Sequence, residues 1–591
     1  TCDSGEGSDT ILEGLRIVGG NAGTNGYGGG LLITFSSPTF IDCQVMNNTA
    51  GEAGGGVAIS LGSPSFDACI FAGNSAGTGG GVHIASGSPT FANCDMYLNS
   101  ASTQGGALRV HGGSPTFAGC SFNFNLAQHG GGVAVQSGTP TFQDCVISSN
   151  SASTSGGGVY IGSDTTTMDE VAITSNLANT SGGGVALAGG TLVITDSDIL
   201  DNTVNSPLPQ PVVAHGGGIR AVNASVEGHW VNIDGNAAMY GGGVSAKNAS
   251  INLTDSKVRE NTVTEEGGGL QGENGAQFVF SYVQVRANSA QIAGGISLKN
   301  SSLQSVGGGI TDHVTPYSAA IRAQDSSVAC HLLVIEDNQS TSPAAQGVVT
   351  ILGSNAGDTH FTWGYFLENS AAVGGAVYVS NGEVQLTDCL FRENSAMTGG
   401  GLAADNFAGP AHIRIDDSIF ETNSATVNGG GVSVSTGVNF DAARCTWRWN
   451  TAGGTGGAIY AAPKGFNVSS CRFYENAAEV GAGIWLDGSG LWPLGATINN
   501  SLFRHNDAAE HGGALAFGDE TTVAVSQCTV TANSAGISGS AIYTLYDWVG
   551  VSNSIVWGNN GVQVDGPGEI NFRFSIIPAF QDGMNSFSAT P

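Results

Sequence analysis

Apolar residues alternate in short bursts along this chain. GGGVAI (54–59) and GGGVHI (79–84) place Val and Ile at every second position, the spacing of strands that send alternate side chains to opposite faces. The PTF and CxF segments that follow are each too short for a helix. From Phe91 to Cys94 the alternation breaks, which marks a bend, and from Cys94 to Met96 it resumes. The whole phrase then returns: SPSFDACIFAGNSAGTGGGV from Ser63, SPTFANCDMYLNSASTQGGAL from Ser88, SPTFAGCSFNFNLAQHGGGV from Ser114.

Asn recurs at one phase of this phrase, at positions 21, 48, 74, 99, 125, 150, 176, 202, 236, 261, 288, 338, 369, 394, 423, 450, 476, 506, 533 and 559. Most intervals are about 26 residues, which is a solenoid period. The interval from Asn288 to Asn338 spans two periods and hides one Asn. The pattern predicts an all-β fold, a right-handed parallel β-helix of about 21 coils with three short strands each. Each strand pairs with its copy one coil away, at roughly 4.8 Å. We read one domain over 1–591: N-terminal coils at 1–27, the most regular repeats at 28–200, irregular repeats with loop insertions at 201–345, regular repeats at 346–560 and a C-terminal segment at 561–591.

The recurring residues have physical roles in such a coil. Gly triplets such as 54–56, 79–81 and 307–309 allow positive φ and close backbone approach at a corner. Asn tolerates the left-handed conformation, and its amide can bond the Asn one coil away. Asn48, Asn74, Asn99, Asn125, Asn150 and Asn176 are therefore expected to form a buried ladder. Cys43, Cys69, Cys94, Cys120 and Cys145 share a second phase, where Val171, Ser197, Ser418 and Ser501 also occur. In-register Cβ atoms stand about 4.8 Å apart, too far for a disulfide. The slot reads as a column of small buried groups with free thiols, and Cys2, outside it, is the candidate for an external bond.

Composition narrows the function. Gly supplies 93 of 591 residues, without the three-residue period of collagen. Only 11% of residues are charged, yet the formal net charge is −30, which repels nucleic acid and acidic polysaccharide. No apolar run is long enough for a membrane helix. The start at Thr1, within a repeat, is that of a processed protein or a fragment of a longer one.

FxxN tetrapeptides occur as FAGN (71–74), FNFN (122–125), FLEN (366–369), FREN (391–394), FETN (420–423), FYEN (473–476) and FRHN (503–506). GGA followed by Leu, Val or Ile stands at 105, 374, 456 and 512. This pairing resembles the passenger repeats of chlamydial-type polymorphic outer-membrane proteins. The fuller phrase is similar to large right-handed β-helix surface proteins of environmental bacteria. The resemblance covers nearly the whole chain and implies secretion or cell-surface display, with adhesive or structural roles. Proteins of the first group carry a C-terminal membrane barrel, whereas this sequence closes on NSFSATP.

Parallel β-helices also carry polysaccharide lyases and hydrolases, which need clustered acids and a base on adjacent coils. Asp, His and basic residues do not recur together at one phase, and no catalytic residue is assigned. Interruptions of the repeat hold the candidate ligand residues: a Pro-rich segment ending at His215; a stretch with Asp312, His313, Tyr317 and Arg322; and irregular segments with Trp492 and Trp548 suited to stacking on sugar rings. His129, His215 and His511 precede Gly pairs, but GxSxG is missing, so these read as corner residues rather than oxyanion loops. Asp196, Asp198, Asp201 and the pair Asp416, Asp417 are the candidates for Ca²⁺; no other cofactor is expected. The sequence thus reads as an extracellular structural or adhesive protein of the bacterial cell surface, more a scaffold than an enzyme. Its expected partners are copies of itself, joined end to end into a filament, and cell-surface or glycan ligands. The alternative is a carbohydrate-binding or polysaccharide-degrading β-helix.

Overall fold

The structure, a computed structural model, describes residues 1–205, 213–353, 359–407, 410–488, 494–519, 521–545 and 548–577. The chain packs as two compact units, Thr1–Gln291 with Gly295–Ser297, and Ile292–Gly294 with Leu298–Pro591. Each is an all-β parallel solenoid. Among the described residues no helix is long and apolar enough to cross a membrane.

One coil of the first unit shows how the repeat folds. Val82–Ile84 pairs in parallel and in register with Val57–Ile59 before it and Leu108–Val110 after it. Thr90–Ala92 does the same with Ser65–Asp67 and Thr116–Ala118. Asp95–Tyr97 lies between Ile70–Ala72 and Ser121–Asn123. Besides these three principal strands, a short fourth follows the ladder Asn, as in Ser75–Thr78, Ser100–Gln104 and Leu126–His129, where the register slips. In the second unit Leu390–Arg392, Ile419–Glu421 and Thr446–Arg448 stack in the same way.

The core repeats with the coil. Phe40, Phe66, Phe91, Phe117 and Phe142 form one stack with centroids 4.8, 4.8, 5.0 and 4.8 Å apart. In the second unit Phe391, Phe420, Trp447 and Phe473 form another, at 4.4, 5.7 and 4.9 Å. Burying one such ring stabilises the fold by roughly 2–3 kcal/mol. Trp447 is fully buried between two Phe rings.

The Asn column is built from hydrogen bonds in three directions. Asn99 donates its backbone N–H to Asn125 Oδ1 at 2.9 Å, and its side-chain amide to the same oxygen at 3.2 Å and to the Phe71 carbonyl at 2.8 Å. The same set links Asn48, Asn74, Asn150, Asn176, Asn202, Asn236, Asn261 and Asn288. In the second unit the column runs from His313 through Asn338, Asn369, Asn394, Asn423, Asn450, Asn476, Asn506 and Asn533 to Asn559.

Three sequence assignments need correction here. The left-handed residue of the corner is the one before the Asn: Leu98 has φ 55° and Phe124 φ 58°, and the ladder Asn residues are not among the positive-φ residues. That preceding residue turns the chain so that the Asn side chain enters the core while its own side chain points out. Asn21 is exposed; Gly20 holds the first ladder position and donates to Asn48 Oδ1 at 2.8 Å. The hidden coil between Asn288 and Asn338 carries His313 in the slot, with its backbone N–H 3.2 Å and its Nδ1 2.9 Å from Asn338 Oδ1. The glycines at 307–309 had obscured it. They are not the usual triplet, since Gly309–Thr311 is a strand pairing with Val334–Glu336. The true corner of that coil is Ser318, Ala319, Ala320, with Ser318 at φ 52°. At an ordinary triplet the need for Gly is plain: Gly79 has φ 56°, and a Cβ on Gly80 would lie 2.3 Å from the Ser100 carbonyl.

The Cys slot turns by the same device. Asn93, at φ 51°, precedes Cys94. All eleven cysteines are free and buried, Cys2 included. Where Ser replaces Cys, its Oγ accepts the N–H of the slot residue one coil earlier: Val171 to Ser197 at 2.9 Å, Cys389 to Ser418 at 3.0 Å and Cys471 to Ser501 at 3.1 Å. Small size alone therefore does not define the slot; an acceptor at the γ position serves the bend. Burial pushes the Cys389 thiol up to about 12 and the Cys528 thiol up to about 11, so both stay neutral.

Two outcomes are expected. Replacing Asn125 with Ala removes the amide bond to the Met96 carbonyl and leaves the buried Asn99 N–H without its acceptor, and should cost roughly 2–3 kcal/mol in denaturant titration. Burial holds the His313 imidazole near pKa 4, against 6.5 when unfolded. As pH falls through that window the unfolded chain binds a proton that the folded chain refuses, so the folded state loses up to about 3 kcal/mol. His313→Asn should remove this part of the acid sensitivity, seen as a smaller difference between urea midpoints at neutral and mildly acidic pH.

Candidate functional site

The outward-facing side chains of the glycine-flanked strands lie beside the short fourth strands, and polar residues gather along that line. In the first unit Arg220, Ser245 and Gln271 are in register on successive coils, as are Lys247 and Glu273. His215 forms isolated bridges with Ser181 and Tyr240 on the flank. Arg220 donates to Ser245 Oγ at 2.5 Å and pairs with Glu273 at 3.1 Å. Ser245 donates to Gln271 Oε1 at 2.7 Å, and the His215 ring lies 5.3 Å from Tyr240, nearly parallel. Burial, then the charge of Arg220, holds His215 down to about 4, so the imidazole is neutral.

A Ser beside a His and a carboxylate invites comparison with a hydrolase, and the geometry answers it. Ser245 is fully buried and its proton is committed to Gln271, while His215 Nδ1 stands 3.5 Å away. No substrate carbonyl could reach this hydroxyl. The network instead ties successive coils together through buried polar groups, and the Pro-rich segment 206–212 lies outside the described residues. Asn202 donates its N–H to Asn236 Oδ1 at 2.9 Å, the usual ladder distance.

A second polar group lies earlier on the same strands. Arg109 donates to Gln104 Oε1 at 3.0 Å and lies 3.4 Å from His111. His83 is buried, and burial with the charges of Arg109 and His111 holds it down to about 3.

The remaining sequence candidates are dispersed. Residues 310–330 are not a loop leaving the scaffold but a regular coil with strands Gly309–Thr311, Val314–Thr315, Ile321–Gln324 and Ser327–His331. His313 is fully buried in the ladder, which removes it as a ligand residue. Asp312 is its left-handed neighbour at φ 62°. Tyr317 is 42% exposed at a corner, and Arg322 lies in a strand in register with Thr350. Trp548 is 44% exposed at the start of Trp548–Ser552. Trp492 lies outside the described residues. His129, His215 and His511 each stand directly before a positive-φ Gly. Asp416 and Asp417 hold Arg444 at 3.2 and 2.7 Å, and Asp198 accepts from Asn232 at 2.9 Å. Among the described residues no group of three or more His, Cys, Asp or Glu is placed to hold a metal ion.

Sequence reasoning passed over two residues. Trp230 and Tyr282 occupy the left-handed corner before the Cys slot, where other coils carry Asp42, Asn93, Asp144 and Asp255. Both are more than half exposed. The signal was available in part: this phase tolerates Asp, Asn and Gly but also Ala68, Glu170, Leu332 and Trp363, and what marks Trp230 and Tyr282 is that two aromatic residues stand two coils apart.

Residues 374–577, in the second unit, match the family described as a right-handed beta helix region. The fold is a right-handed parallel β-helix. A stretch of 139 residues, 23% of this chain, is 27% identical to the metabotropic glutamate receptor-like protein R of Dictyostelium discoideum. The match covers 8% of that protein's length.

The buried ion pair of this β-helix yields a test. Glu273→Ala leaves the Arg220 guanidinium buried and uncompensated, and should destabilise the protein by about 3 kcal/mol in chemical denaturation.

Proposed function

We propose that the protein is an extracellular structural or adhesive scaffold of the bacterial cell surface. The observation that carries this reading is the hydrogen-bonded Asn column. It satisfies the coil corners from inside, through hydrogen bonds between successive coils, and leaves the outward positions open to vary. Such an architecture suits display. The FxxN and GGA[ILV] motifs support it through their resemblance to the passenger repeats of polymorphic outer-membrane proteins. Self-association through exposed coil edges, extending into filaments, belongs to the same reading.

Protease added to intact cells of the producing organism should cleave the chain. Cleavage in lysates alone would overturn the surface assignment. The competing reading is a polysaccharide lyase or hydrolase. The scaffold reading expects no reducing ends and no unsaturated products from a panel of plant and bacterial polysaccharides, and sustained turnover on any of them would replace it.

A further inference from the structure

We propose that Trp230, Asp255 and Tyr282 form a binding strip for an extended, neutral glycan chain. The strip supplies the adhesive scaffold with a ligand class and rests on that reading.

The first argument is conformational. Trp230 has φ 53°, Asp255 φ 48° and Tyr282 φ 55°. Asp and Asn tolerate this region because their short side chains bond locally, whereas bulky residues are disfavoured there. An aromatic side chain at this corner strains the backbone without filling the core, since Trp230 is 55% and Tyr282 57% exposed. Leu332 and Trp363 at the same corner of other coils are exposed as well, so the left-handed turn sends a bulky residue outward, and it presents both rings to solvent rather than to the core.

The second argument is spacing. His229, Thr254 and Ser281 are in register on successive coils, so the corner residues that follow them share one line. The two rings stand two coils apart, roughly 9.6 Å, about the advance of a disaccharide in an extended chain. Asp255 sits on the coil between them. A ligand that repeats flat faces with hydroxyl groups between them matches the order ring, carboxylate, ring: pyranose C–H faces stack on the aromatics and a hydroxyl donates to Asp255.

The third argument is preorganisation. The His229 ring stacks on the Trp230 indole with centroids 4.2 Å apart, and His229 Nε2 lies 3.5 Å from Asp255 Oδ2. The imidazole thus braces the indole and links it to the carboxylate of the next coil. Charge selects the ligand's sign: with Asp255 in the strip and a net charge of −30, acidic glycans are repelled.

The test uses the full chain and its Trp230→Asn and Tyr282→Asn variants, titrated calorimetrically with cellohexaose, mannohexaose and chitohexaose, and with oligogalacturonate as the acidic probe. Asn suits the left-handed corner, so both variants should keep or raise the thermal midpoint. At least one neutral hexamer should bind the natural chain, each variant should bind it at least tenfold more weakly, and a substitution at another exposed indole, Trp557→Ala, should leave binding unchanged. Absence of binding to all three hexamers, affinity unaltered in both variants, or equal affinity for oligogalacturonate would overturn the strip. Cleavage of the chain on intact cells with no glycan binding would sink the strip alone and leave the scaffold standing.

Discussion

The structure depends on a buried amide that has to be satisfied. Each coil bends sharply beside its core, and the bend leaves backbone groups that water cannot reach. The ladder Asn resolves this from both sides, accepting from the preceding coil and donating to a carbonyl there and to the next Asn. Because each Asn needs its neighbour, the constraint propagates along the column and keeps corners of like geometry above one another. The stacked Phe rings and in-register strands follow from that alignment. His313 shows the tolerance of the device. Its imidazole reaches the Asn338 oxygen and preserves the column, but it brings a titratable group into the core.

The corners divide labour between adjacent residues. One adopts the left-handed conformation and points outward; the next points inward and is held by chemistry. This separates fold from surface within two positions. The inward residue is Asn, with His313 in one coil, or at the second corner mainly Cys and Ser, where the Ser Oγ accepts a backbone N–H. The outward residue is weakly limited by the backbone, and Ala68, Leu98, Phe124, Glu170, Leu332 and Trp363 share these positions with Asp, Asn and Gly. Trp230 and Tyr282 use that freedom to place two exposed rings on one line, two coils apart.

Charge follows the same division. The acids lie mostly outside, and where a charged side chain is buried, as Arg220 and Glu421 are, it is paired. Arg220 meets Glu273, and Glu421 meets Arg392 and Arg448. Burial alone would raise the Glu421 carboxyl, yet hydrogen bonds from Arg392 and Arg448 hold it below the usual range. These pairs lie on outer faces of the strands and leave the apolar interior uninterrupted.

Periodicity made the inward chemistry legible in the sequence. A residue that must meet its own copy one coil away has to recur at the coil length, so parallel strands, the Asn phase and the Cys phase could all be read before any coordinates. Where recurrence fails, so does that reading. The glycines at 307–309 shifted the apparent phase and hid His313, because the sequence does not show which of two glycine-tolerant corners a triplet occupies. Asn21 and Gly20 were confused for the same reason, since adjacent positions in a turn differ only in the direction of the side chain. The acceptor role of the Cys and Ser slot, the closure of Ser245 against solvent and the exposure of Trp230 beside His229 rest on contacts between residues about 25 positions apart or more, or on direction within a turn. Recurrence specifies which residues stack; only the tertiary structure decides what each faces once stacked, because that depends on the side of the backbone from which the side chain leaves.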